Sequence, residues 1–159
     1  MIQEYFNTEL FSGVYLGLPL DSVQAVIRLN RQRICAMPGI ASFWLGVTNY
    51  QGALLWVLNT DSFFTQLTSR EETLTNHHPS EVTAVILQMA VAGVNKKVAV
   101  AVKQLKGVTK FTDFQISDVP NPQLAGICQN IQLKDDKKVY LLDSNAFLSH
   151  LHQVSLFSH

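Results

Sequence analysis

The feature that most constrains this chain is the shortness of its apolar runs and the regularity with which turn residues cut them. Apolar runs of strand length, set between Gly, Pro, Asn and Asp, predict an all-β fold. Val14–Leu18 leads into Pro19, which suits a strand end or an edge. Val23–Leu29 is rich in β-branched residues and stops at Asn30. Phe43–Thr48 and Ala53–Leu58 flank Asn49-Tyr50-Gln51-Gly52, a hairpin pattern in which the second run reads as a fully buried strand. Val82–Val91 is apolar on both faces, as a central strand is. Lys97–Val102 and Val108–Phe114 follow, separated by Gly107. Ile127–Leu133 and Lys138–Leu142 make a further hairpin about Asp135-Asp136.

Two segments read as helices. Asp61-Ser62 offers side-chain oxygens to the free N–H groups of a first turn, predicting a short helix through Leu67. Asp143-Ser144 caps a final helix in which Phe147, Leu151 and Val154 recur at spacings of four and three, one apolar face. Ser69–Ser80 is polar, and Ser117–Gln123 holds two prolines, so both read as loops. The expected architecture is nine or ten short strands and two short helices, as two small β-barrel subdomains sharing a core and meeting near residues 70–80. Closing sheets into barrels removes most exposed edges. A chain of 159 residues fits one domain and buries about 68–70% of its unfolded surface, so it needs no disulfide or metal staple.

Charge sharpens the picture. Only 15% of the residues are charged, where about 25% is usual, and 12 Lys+Arg balance 12 Asp+Glu. With 47% apolar residues the chain is not a disordered one, and its neutrality argues against strong electrostatic nucleic-acid binding. The deficit is local: Ile34–Thr60 and Val82–Asn95 carry no charge at all. A surface so poor in charge either precipitates or has partners, so part of Ile34–Thr60 is expected to be covered, while Val82–Asn95 reads as core. The N-terminal MIQEYFNTEL lacks a basic segment followed by an apolar run, so it reads as no signal peptide, and no run nears the roughly 18 apolar residues of a membrane span. Cys35 and Cys128 stand among apolar neighbours and read as two buried free thiols in a reducing cytoplasm.

No residue set announces catalysis. His77 and His78 are adjacent, and His150 and His152 are separated by about 200° around a helix, which is poor geometry for shared metal ligation. They read as solvated histidines, with no metal and no cofactor expected. Asp113, Asp118, Asp135, Asp136 and Asp143 sit near turns or caps, where Asp serves its own local hydrogen bonds. No phosphate-cradling glycine motif occurs. Arg28, Arg31 and Arg33 form a basic cluster, an alternative reading as a nucleic-acid-binding barrel, though no exposed aromatics interleave with them. Trp44 and Trp56 read as core. Tyr50 falls in the expected turn, where a large amphipathic ring anchors interfaces well.

The segment Met37-Pro38-Gly39, then Leu45-Gly46-Val47-Thr48-Asn49-Tyr50-Gln51-Gly52 and the apolar strand Ala53–Leu58, resembles the motif of the CheW-like domain: a proline, a short gap, then Gly-Val-x-Asn-x-Arg-Gly and an apolar strand. Tyr15–Leu20 with Val23–Val26 is similar to that family's second and third strands, and Val98–Val102 with Leu105, Gly107 and Val108 to a later strand and turn. Pro120–Pro122, Ile127 and Val139–Asp143 with the last helix complete the pattern. The resemblance implies two SH3-like barrels around a continuous core and a non-catalytic cytoplasmic adaptor. Such adaptors couple the cytoplasmic tips of chemoreceptors to the regulatory domain of a CheA-type histidine kinase, or serve type IV pilus twitching systems. Barrel-to-barrel self-association also follows from this mode of docking, and direct membrane insertion and nucleic-acid binding do not. By position it implies a protein-binding surface at Val23, Ala25, Val26, Leu45, Gly46, Val47, Asn49, Tyr50, Gln51 and Gly52. Here Gln51 stands for the motif's Arg, Ala25 and Lys103 for acids, and Asn59-Thr60 for Leu-Arg, so each replacement removes or reverses a charge or alters polarity. Partner choice depends on such charges.

Overall fold

In the computed structural model, which describes residues 3–68, 80–91, 93–111, 124, 126–134 and 137–156, the described residues form ten strands and two helices. The strands are β1 (Gln3–Glu9), β2 (Tyr15–Pro19), β3 (Val23–Asn30), β4 (Trp44–Tyr50), β5 (Ala53–Leu58), β6 (Glu81–Val91), β7 (Val94–Val102), β8 (Gln104–Phe111), β9 (Cys128–Lys134) and β10 (Lys137–Leu142). The helices are α1 (Thr60–Thr68) and α2 (Ser144–Leu156). One five-stranded sheet has the order β8-β1-β2-β10-β9 and the other β3-β6-β7-β5-β4. Neighbours are antiparallel except β2 with β10 and β5 with β7. The sheets form two half-barrels, as expected.

Both ends of the chain build the first sheet and its middle builds the second. The chain crosses over at the 3-10 turn Leu20–Ser22 and returns at Lys103, whose N–H donates to the Glu9 carbonyl at 2.8 Å. The boundary expected near residues 70–80 does not coincide with a change of sheet. Its flanks, β5 with α1 and β6, both belong to or follow the second sheet, and residues 69–79 themselves lie outside the described residues.

The largest apolar cluster draws on both sheets and both helices, including Leu16, Leu18, Val85, Leu87, Val100, Phe63 and Phe147. Leu55, Val57, Ala84, Ile86 and Ala99 form a second cluster, entirely within the second sheet. Tyr5, Val139 and Leu141 form a third, within the first. Successive side chains on a strand face opposite ways, so Ala84 and Ile86 fill the second half-barrel while Val85 and Leu87 fill the shared core. That is why Val82–Val91 is apolar without alternation. Edge-to-face rings of Phe63 with Phe43, Phe64 and Phe147, centroids 5.3 to 5.5 Å apart, knit α1 to α2.

Four local expectations need correction. The Ala53–Leu58 strand is not fully buried: Ala53 and Leu54 are exposed at the tip of its hairpin. The cap of α1 is Asn59, whose Oδ1 accepts from the Ser62 N–H at 3.2 Å. Asp61 is instead buried and its two carboxylate oxygens accept from the N–H groups of Phe11 (3.1 Å) and Ser12 (2.8 Å), tying the β1–β2 turn to α1. The break before β8 falls at Lys103, not Gly107, which lies inside that strand opposite Asn7. Finally, Cys35 is exposed rather than buried, while Cys128 is buried. Cys35 follows a 3-10 turn and pairs only through its backbone, with Val47, so its side chain is left outside. α2 starts as expected, with Asp143 Oδ1 accepting from the Ala146 N–H at 3.1 Å and Phe147 and Leu151 buried. The side chain of Val154, and residues 77, 78, 113, 118, 135, 136 and 159, lie outside the described residues.

Candidate functional site

The expected binding residues fall on the two edge strands of the second sheet, β3 and β4, and on the turn beyond β4. The turn is two residues long, Gln51 and Gly52, between the paired Tyr50 and Ala53. Both have positive φ, +52° and +81°, the geometry of a type I′ hairpin turn. Asn49 Oδ1 accepts from the Gly52 N–H at 3.2 Å and steadies the turn. Glycine is needed at 46 for a different reason. Its φ is +143°, and a side-chain carbon there would collide with the Cys35 carbonyl. That carbonyl accepts from the Val47 N–H at 2.9 Å, and the Cys35 N–H donates back to Val47 O at 2.8 Å. The loop after Arg33 is thereby laced to β4, and the Gly-Val of the motif is a backbone fastening.

The predicted residues therefore divide. Gly46 and Val47 are buried and structural. Asn49, Gln51 and Gly52 form an exposed tip. Ala25, Leu45 and Tyr50 are half-buried and pack on the same small cluster inside the second half-barrel, together with Ile27, Leu29 and Ile34. Val23 is half-buried against the shared core, and Val26 points outward, 40% exposed. The two edge strands thus leave the second half-barrel's interior partly uncovered between them.

The sequence reading missed Leu54. It is 75% exposed, more than any other large apolar side chain among the described residues. The signal was its place two positions beyond a two-residue turn, opposite polar Asn49 on the outward side of the ladder. With Tyr50, Gln51, Gly52 and Ala53 it makes a tip without charge, inside the charge-free stretch 34–60. Such a patch costs little to desolvate and gains by being covered.

The basic cluster offers less. Arg28 lies 3.4 Å from Glu81 across the β3–β6 ladder, both side chains exposed, and this partner offsets its charge. Arg31 and Arg33 belong to the 3-10 turn capped by Asn30. Among the described residues no group of three His, Cys, Asp or Glu side chains is placed to hold a metal, and no helix is long and apolar enough to cross a membrane. His150 packs edge-on against Phe63, centroids 5.9 Å apart, and His152 is exposed. The Cys128 thiol is pushed up to about 12, chiefly by burial and then by the Asp143 charge, the opposite of what a nucleophile requires.

The family model of the CheW-like domain matches residues 10–152. This chain belongs to the CheW-like domain family. Among solved structures it is similar to the scaffolding protein TtCheW from Thermoanaerobacter tengcongensis, at 16% identity, with a TM-score of 0.68 and 90% of each chain covered. No curated protein matches the sequence. At that identity the structural likeness concerns the fold alone, and with it the two half-barrels and the crossing of the chain between them. Against the CheW-like motif, Gln51 occupies a left-handed turn position at the exposed tip, Ala25 faces inward, and Lys103 sits exposed where the chain re-enters the first sheet.

Proposed function

We propose that this chain is a non-catalytic adaptor of a chemotaxis-like signalling array, which docks the regulatory domain of a CheA-type histidine kinase and the tips of receptors. The observation that carries the reading is the charge-free hairpin tip with Leu54 outward, set beside a half-covered apolar interior at the edges of the second half-barrel. Exposed apolar side chains at sheet edges are what barrel-to-barrel docking uses, and membership of the CheW-like family supplies the kind of partner. In this reading the docking residues are Val23, Ala25, Val26, Leu45, Asn49, Tyr50, Gln51 and Gly52, joined by Leu54, and the buried Gly46 and Val47 hold them in place. A cytoplasmic setting, recruitment to membrane arrays, a type IV pilus pathway and self-association through the same edges are parts of the same proposal.

The test is capture of the kinase regulatory domain encoded in the same genome. Leu54→Asp places a charge in the middle of the tip and Tyr50→Ala removes the ring that half-fills the interior. Each should weaken capture by at least about tenfold, the effect of losing a hot-spot side chain, while Leu54→Asp leaves the melting temperature unchanged. Gly52→Arg is the poorer probe, because φ of +81° makes any side chain there strain the turn as well. Capture at full strength by both Leu54→Asp and Tyr50→Ala removes this surface as the docking site.

A further inference from the structure

A second feature stands apart from the hairpin tip. A cleft of about 270 Å³ opens where α2 crosses the second sheet. Its floor is the pair Trp44 and Trp56, ring centroids 5.4 Å apart and planes tilted by 59°. Leu148 and Leu151 of α2 line the cleft, as do Ile40 and Ala41. Lys96, Lys97 and His152 are the polar residues of the lining. Lys96 is half-buried and the other two are exposed.

The charges of this cleft have one sign. Its lining residues include two lysines and a histidine but no acid, and of the lysines Lys96 shares the face of β7 with the buried Val98. Among the described residues, the segments that build it supply none either. The charge-free stretch 34–60 provides Ile40, Ala41 and both tryptophans, and α2 carries no acid along its length. Among the described residues, this leaves basic groups alone beside an apolar floor. Tryptophan faces by themselves attract cations, but a lysine beside them repels one. The volume lies near the lower end for small-molecule clefts, which combine apolar walls with a few convergent polar groups.

We propose that this cleft binds a small organic anion with a flat apolar body, an aryl carboxylate in chemical class. The body lies on the Trp44 and Trp56 faces against Leu148 and Leu151, and the carboxylate meets Lys96, which lies on the Val98 face of β7. The adaptor thereby carries a small-molecule site of its own, apart from its protein-docking edges. Trp56 lies on β5 two residues from Leu54, so the cleft and the tip share a strand.

The chain reports on this site directly, because its two tryptophans are both in the cleft. The experiment titrates the full chain with phenylacetate, with phenylethanol as the neutral counterpart and phenylethylamine as the cation, and reads tryptophan fluorescence. Phenylacetate should give a saturable change, with phenylethanol about tenfold weaker and phenylethylamine weaker still, since a charge-assisted contact contributes about that much. The Lys96→Gln/Lys97→Gln double variant should bind phenylacetate five- to tenfold more weakly and phenylethanol unchanged, with its unliganded spectrum preserved. Absence of a saturable change, phenylethylamine binding as tightly as phenylacetate, or full-strength phenylacetate binding by the double variant would each overturn the proposal. The measurement needs no protein partner, so its failure is distinct from failure of kinase capture.

Discussion

At the scale of single residues, the turn at the docking tip is held against a preference of its own sequence. Gln51 is the one non-glycine residue with positive φ among the described residues, and that region costs an ordinary L-residue roughly 1 kcal/mol. Asn tolerates it, and Asn-Gly is the favoured pair for a type I′ turn. Gln51→Asn should therefore raise stability by about 0.5–1 kcal/mol in urea unfolding, a gain that an unstrained position 51 would not show. The two thiols give a second residue-scale expectation. Cys35 is exposed and should react with a thiol reagent in the native protein, while Cys128 should react only on unfolding. Burial raises the Cys128 thiol from 9.0 to about 12, so folding favours its neutral form. That stabilisation is complete below about pH 9 and is lost as pH climbs from there toward 12. Cys128→Ala should flatten the alkaline part of the stability profile, and an unchanged slope above pH 9 would assign the loss to another group. Glu9 works in the opposite sense. Hydrogen bonds from Gln104 and Tyr15 hold its carboxyl below the usual carboxylate range, so its small contribution is present above that range and disappears in acid.

At the scale of elements, the sequence declares strands by their apolar runs but conceals which ends are open and which side chains cap. The hairpins β4–β5 and β9–β10, the unbroken β6 and the helix α2 were all legible, because each buries a patterned face between recognisable turn residues. β1 was not legible as a strand, since Gln3, Asn7 and Thr8 interrupt its alternation; Asn7 and Thr8 are buried polar residues that donate to Thr109 Oγ1 and the Leu16 carbonyl. The docking tip was located by motif, yet Leu54 was assigned to the core because an apolar strand does not say where it emerges from the sheet. α1 shows the same limit. Asn59 and Asp61 are both competent caps, and what decides between them is the distant β1–β2 turn, whose two free N–H groups take the Asp61 carboxylate. Losing that carboxylate leaves two donors without a charged acceptor. Asp61→Ala should cost about 2–3 kcal/mol, against about 1 kcal/mol for the cap variant Asn59→Ala. Equal losses in thermal or urea melts would return Asp61 to the role of an ordinary first-turn acid.

At the scale of the whole molecule, the two half-barrels have too little of their own to stand alone. The first encloses Tyr5, Val139 and Leu141, and the second five residues, two of them alanines, whereas the cluster between them takes in both helices and strands of both sheets. The first sheet is also split in sequence, its strands lying on either side of the Val23–Val102 stretch that builds the second, so the first half cannot close without the second in place. Both facts predict one cooperative transition. The molecule carries a reporter for each half: Trp44 and Trp56 sit in the second sheet, and Cys128 sits on β9 of the first. In a denaturant series, tryptophan emission and the accessibility of Cys128 to a thiol reagent should change with the same midpoint. Phe63, whose ring meets Phe43, Phe64, Phe147 and His150, is the place to perturb both at once. Phe63→Ala opens a cavity at the junction and should cost about 3–5 kcal/mol. The decisive point is that it should move the two midpoints together, although the mutated ring belongs to neither sheet. If the tryptophan midpoint falls while Cys128 stays protected to the original denaturant concentration, the half-barrels unfold separately and the shared core is not what couples them.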